Sequence, residues 1–103
     1  MVQSVDGKTL AGMLIHASAC LNAEKQKINE LNVFPVPDGD TGTNMSLTIS
    51  TAAAELRQKK PTTVEKAAAV CASAMLRGAR GNSGVILSLI FRGFSRAMKD
   101  KTE

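Results

Sequence analysis

Asp38-Gly39-Asp40-Thr41-Gly42-Thr43-Asn44 sets two carboxylates two residues apart on an irregular stretch of backbone. Such a pair can converge on one or two hard divalent cations, with Gly39 letting the chain bend tightly between them. The residues that follow open a helix, whose first amide groups have no partner within the helix. Aided by the side chains of Thr41, Thr43 and Asn44, that terminus suits an anion, phosphate above all. Carboxylates beside an anion site repel the anion unless a cation bridges them. The two features together therefore predict a metal–phosphate complex, with Asp38 and Asp40 as ligands of the metal. A simple capped turn would need only two of these polar residues, and seven consecutive polar or glycine residues stand here behind Pro35 and Pro37.

A second segment of the same character is Gly78-Ala79-Arg80-Gly81-Asn82-Ser83-Gly84, which also leads into a helix. Gly81 and Gly84 allow close approach of the backbone, and Asn82 and Ser83 offer donors at another helix N-terminus. Glycine-rich helix junctions are common, and the weight of this one comes from its being the second such site in a short chain. Arg77 and Arg80 flank it as cations whose default place is a solvated face.

Three sharper motifs fail. A calcium-binding EF loop starting at Asp38 needs Gly at its sixth position and Glu at its twelfth, and Thr43 and Ile49 stand there. A haloacid-dehalogenase-type nucleophilic Asp needs a buried strand before it, which the prolines of Val33-Phe34-Pro35-Val36-Pro37 interrupt. No Gly-Lys-Ser/Thr follows a strand, so there is no P-loop. His16 lies mid-helix near Cys20 with no evident acidic partner, as a packed or surface histidine would.

The elements that must position these loops are helices. Leu10, Met13, Leu14, Ala17, Leu21, Ile28 and Leu31 recur mostly at three- and four-residue spacing, which predicts a helix over about 8–31. Pro35 and Pro37 stop it. A second helix is expected from Gly42 or Thr43 to about Gln58, with Met45, Ile49, Ala52, Ala53 and Leu56 inward. After Lys59-Lys60-Pro61, Thr62 or Thr63 caps a third, and Thr62 with Glu65 fits a capping box. Val64, Ala68, Cys71 and Met75 mark its buried face. The last, from about Ser83 to Lys99, turns Ile86, Leu87, Ile90, Phe91 and Phe94 inward. Four helices without a convincing strand make the chain all-α.

Composition agrees. The 103 residues suffice for one domain, with 44% apolar residues, 21% charged residues and three aromatics, all Phe. A core of Ala, Leu, Ile, Val and Met suits close helix packing. Cys20 and Cys71 are too few and too far apart for a metal knuckle or a disulfide scaffold, so buried free thiols are expected. The net charge of +4 would suit a nucleotide, whereas nucleic acid calls for a denser basic stripe with stacking aromatics. The apolar runs fall short of the ~20 residues needed to cross a bilayer. The first residues lack the basic-then-apolar order of a signal peptide, which makes the cytoplasm the expected compartment.

With both loops in hand, the sequence resembles a known family. Asn32-Val-Phe-Pro-Val-Pro-Asp-Gly-Asp-Thr-Gly-Thr-Asn-Met45, followed by Gly78-Ala-Arg-Gly-Asn-Ser-Gly-Val-Ile-Leu-Ser88, resembles the nucleotide-binding domain of the dihydroxyacetone kinase family. The likeness is closest to the branch at the N-terminus of the bacterial fatty acid kinase catalytic subunit, and it covers nearly the whole chain. It implies an antiparallel all-helical barrel with ATP or ADP at one end and two Mg2+ ions bridging the phosphates. Asp38 and Asp40 would be the metal ligands and the catalytic centre. Thr41, Gly42, Thr43 and Asn44 would line the phosphates, and Asn82, Ser83 and Gly84 would close over the nucleotide.

Two positions depart from the dihydroxyacetone kinases. Asn32 is the nearest match to a third, upstream metal-binding aspartate, and Thr41 stands where a His is common. Both favour the fatty acid kinase branch and leave the second metal's ligands unassigned. The resemblance also implies that residues 1–103 are about half of the family domain, its first four helices. Faces that further helices would cover are then left open, so self-association is expected, and little activity from this stretch alone. The function implied is ATP- and Mg-dependent phosphoryl transfer to a fatty acid carboxylate presented by a separate lipid-binding protein. Dihydroxyacetone held by a partner subunit is the alternative acceptor. A metal–nucleotide binding module without turnover and a plain helical interaction module are the alternatives in other classes.

Overall fold

In a computed structural model of the chain, residues 4–31 and 40–101 are described. They form four helices, α1 (Gly7–Leu31), α2 (Thr41–Lys59), α3 (Val64–Gly78) and α4 (Gly81–Ala97), and no strand occurs among them. The chain is all-α, and each helix begins and ends within about two residues of the periodicity's expectation. Asn32 to Gly39, including Asp38, lie outside the described residues.

Local chemistry sets the ends. Asp6 Oδ1 accepts from Thr9 N at 2.8 Å, which satisfies a first-turn amide of α1. That bond to the charged carboxylate holds the Asp6 pKa below its ordinary value. α2 ends with Lys60 in the left-handed region, φ 47°, where its N–H returns to Leu56 O. Thr63 caps α3, its hydroxyl accepting from Lys66 N at 3.2 Å. The capping box expected of Thr62 and Glu65 is thus displaced by one residue, and Lys66 stands where its acidic member would be.

α1 packs on α2 and α3, α2 also on α3 and α4, and α3 on α4. The core is Ala11, Leu14, Ile49, Ala52, Leu56, Ala67, Cys71, Ala74 and Met75, so α2 and α3 are the central helices. Small residues at so many of these positions let the helix axes come close. The buried Cys71 thiol, surrounded by apolar atoms, has its pKa pushed up to about 12.

The inward faces expected of α2 and α3 are as found, apart from a half-buried Met45. Those of α1 and α4 are only partly so. α4 seats itself through buried Gly84 and Ser88, with Leu87 and Phe91 against the core, and this leaves Ile86 and Ile90 about 60% exposed. Val85 and Leu89 are exposed as well, because α4 carries more apolar residues than one face can hold. On α1, Met13 and Leu31 are exposed, as is Cys20. Cys20 lies two residues past buried Ser18, roughly 200° around the helix at about 100° per residue. It therefore faces away from α2, beside His16 Nε2 at 3.4 Å. The expectation of a buried thiol holds for Cys71 and fails for Cys20.

Candidate functional site

The two polar loops meet. Asp40, exposed, occupies the N-cap of α2, and its carbonyl accepts from Asn44 N at 2.8 Å. Thr41, Gly42 and Thr43 form the first turn of α2. Ser83, in the first turn of α4, donates from Oγ to Thr41 O at 3.3 Å. The N-terminal turns of α2 and α4 therefore lie side by side at one end of the bundle, although their residues are some forty positions apart in the chain.

Glycine makes this approach possible. Gly78, Gly81 and Gly84 recur every third residue and abut Thr51, Asn44 and Thr48 of α2 in turn. A Cβ on Gly78 would stand 2.9 Å from Thr51 Cβ, and one on Gly81 would stand 3.0 Å from Asn44 Cγ. Gly81 also has φ +63°, the left-handed conformation that side chains disfavour. Between the glycines, Arg80 N donates to Thr48 Oγ1 at 3.0 Å, and Thr48 Oγ1 itself donates to Asn44 O at 2.8 Å. The second loop's glycines thus have a packing role that its sequence alone did not reveal.

The first loop is held from its other side by α1. Asn29 Oδ1 accepts from Thr43 N at 3.0 Å, and Asn29 Nδ2 donates to Thr43 Oγ1 at 2.8 Å. A residue of α1 thereby caps α2. Gly42 is buried where the helices cross, and a Cβ there would stand 2.8 Å from Lys25 Cα. Ser46 Oγ donates to Asn22 Oδ1 at 3.3 Å, and Ser18 and Ser50 face each other at 3.5 Å, so the seam runs antiparallel and polar. Sequence reasoning missed Asn29. Ser18, Asn22, Lys25 and Asn29 follow one another at four-, three- and four-residue spacing, a polar stripe along one helix face that could have found it.

Of the residues expected at the site, Asp40, Thr41, Asn44 and Ser83 come together. Gly42 and Thr43 share that end, but the seam with α1 engages the backbone of Gly42 and both polar groups of Thr43. Gly84 is buried against Thr48, Asn82 is exposed one residue into α4, and Asp38 lies outside the described residues. Arg77 turns away from the site, pairing with Glu55 of α2 and donating to Ser73 Oγ at 2.7 Å. Among the described residues no three acidic, His or Cys side chains gather as a metal centre. The donor types present are a carboxylate (Asp40), hydroxyls (Thr41, Ser83) and an amide (Asn44), hard oxygen ligands of the class that suits Mg2+. No described helix is long and apolar enough to cross a membrane.

Comparison with known proteins gives the family. Protein YloV of Bacillus subtilis is 44% identical over 102 residues, 99% of this chain and 18% of that protein. An uncharacterized protein of Staphylococcus epidermidis is 41% identical over 103 residues, 100% of this chain and 19% of its own length. The chain therefore spans less than a fifth of the length of these relatives. The family model of the DAK2 domain, from the dihydroxyacetone kinase family, matches residues 35–103, which include both glycine-rich loops and the helices between and after them. The chain belongs to the DAK2 domain family.

Proposed function

We propose that this chain is the nucleotide-binding part of an ATP- and Mg-dependent kinase whose acceptor is a fatty acid carboxylate presented by a separate lipid-binding protein. The observation that carries the reading is the apposition of the α2 and α4 N-terminal turns, joined by Ser83 Oγ and Thr41 O, in a DAK2-family chain. Two adjacent helix N-terminal turns would offer main-chain donors and partial positive charge to a polyphosphate. Asp38 and Asp40 would hold Mg2+, which supplies neutralisation of phosphate charge when bound. Thr41, Gly42 and Asn44 would border the phosphates on one side, with Asn82, Ser83 and Gly84 on the other. Thr43 contributes by fixing the turn through Asn29. Such a site works by positioning and electrostatics: an acceptor oxygen bonds to the γ-phosphorus in line as the bond to the ADP oxygen breaks, and no protein nucleophile is required. A fatty acid acceptor would leave as an acyl phosphate.

Calorimetric titration of ATP and ADP into the chain, with excess Mg2+ and then with EDTA, tests the reading. Mg-dependent binding is expected, and it should disappear in an Asp38→Ala, Asp40→Ala variant. If neither this chain nor a full-length protein containing it binds nucleotide, the kinase reading is wrong. In the full-length protein, acyl phosphate formed from a carrier-bound fatty acid supports the proposed acceptor. Phosphorylation of dihydroxyacetone instead would replace it, and nucleotide binding without turnover on either acceptor would leave a binding module.

A further inference from the structure

We propose that the Thr48 hydroxyl is the positioning group that holds the Ala79–Gly84 junction in register over the first turn of α2. Thr48 is wholly buried in the second turn of α2. Its single proton goes to Asn44 O, the carbonyl four residues earlier, at 2.8 Å. With the proton committed there, the oxygen can act on α4 only as an acceptor, and the donor it meets is Arg80 N at 3.0 Å. Arg80 is the N-cap of α4, where extended backbone (φ −122°, ψ 126°) turns into helix. One hydroxyl thus links the carbonyl of Asn44 in the first loop to the main chain that opens the second.

A serine or threonine bonded only to its own i−4 carbonyl is a common local feature that bends a helix slightly. Here the same oxygen has a second partner thirty-two residues away, and Gly84 lacks a Cβ where Thr48 Oγ1 stands. The neighbouring tie, Ser83 Oγ to Thr41 O, is longer at 3.3 Å and lies nearer the open end. Thr48 therefore sets the register and Ser83 follows it. Resting on the nucleotide reading above, the same pin fixes the gap between the two turns that border the phosphates.

The test compares Thr48→Ser with Thr48→Ala by amide hydrogen exchange, because both lose the methyl group and only the second loses the hydroxyl. Loss of one partly buried hydrogen bond predicts about tenfold faster exchange at Arg80, whose amide is bonded to Thr48, and at Gly84, whose amide is bonded to Arg80 O, in Thr48→Ala, with amides in the middle of α1 unchanged. A merely destabilised bundle would instead exchange faster throughout. Should Thr48→Ala fail to fold, the shape-conserving Thr48→Val takes its place. Equal exchange at Arg80 and Gly84 in the hydroxyl-bearing and hydroxyl-free variants, or a uniform rise, overturns the proposal. Titration with Mg-ADP separates it from the functional reading. Localised exchange without nucleotide binding by any variant keeps the pin and rejects the nucleotide site. Nucleotide binding with equal exchange rejects the pin and keeps the site.

Discussion

Replacing Gly42 with Ala puts the packing of α1 against α2 to a test of sign. A glycine inside a helix ordinarily costs about 0.5–1 kcal/mol relative to alanine, so Gly→Ala stabilises wherever the new methyl has room. Gly12 of α1 has nothing within 4 Å of its would-be Cβ. Gly12→Ala should therefore stabilise by about 0.5–1 kcal/mol, raising Tm by roughly 3–6 °C for a domain of this size. At Gly42 the new Cβ would lie 2.8 Å from Lys25 Cα and 2.9 Å from Lys25 C, backbone atoms that cannot swing aside. The helices would have to separate there, straining Thr43–Asn29 and Ser46–Asn22 on either side. Overpacking of this kind costs about 1–3 kcal/mol, which exceeds the small propensity gain of a first-turn position. Gly42→Ala should then lower Tm by roughly 6–18 °C. Thermal unfolding followed by circular dichroism reads both variants. A rise in Tm for Gly42→Ala matching that for Gly12→Ala would refute the close crossing at Lys25.

Three further outcomes follow from particular bonds. Asn29→Ala removes both bonds to Thr43 and should cost about 0.5–2 kcal/mol, the range for a lost helix cap, seen as an earlier urea midpoint with unchanged slope. The folded-state pKa of Asp6 is lowered by Thr9 N–H, so its contribution is present above the ordinary value of 3.8 and lost as pH falls through the folded value. The Tm gap between the wild-type chain and Asp6→Asn should accordingly be largest near neutral pH and shrink as pH falls below 3.8, and a gap that widens on acidification would contradict this. At neutral pH a thiol reagent should label exposed Cys20 quickly and leave Cys71, buried and held protonated, until denaturant is added.

Much of this protein was legible before any coordinates, because what sets it is local. The three- and four-residue recurrence of apolar side chains, together with Pro35, Pro37 and Pro61, places four helices nearly to the residue. The same recurrence marks the buried faces of α2 and α3, which have neighbours on several sides and so bury the stripe that periodicity singles out. The two glycine- and hydroxyl-rich loops stood out as candidate sites from local sequence too, since they hold more polar and glycine residues in a row than a capped turn needs.

Only the tertiary structure decided what those residues touch. Gly81 and Gly84 looked like room for close approach of a ligand, and each meets a polar residue of α2. Thr43 looked like a phosphate donor and is bonded twice to Asn29. Ile86 and Ile90 looked buried and are exposed, since α4 has an apolar surplus and Gly84 and Ser88 select the face that docks. The physical reason is common to all three. A helix's period is written in its own residues, whereas the partner of a donor, a methyl or a missing Cβ depends on how another helix is placed, a relation carried by no single stretch of chain.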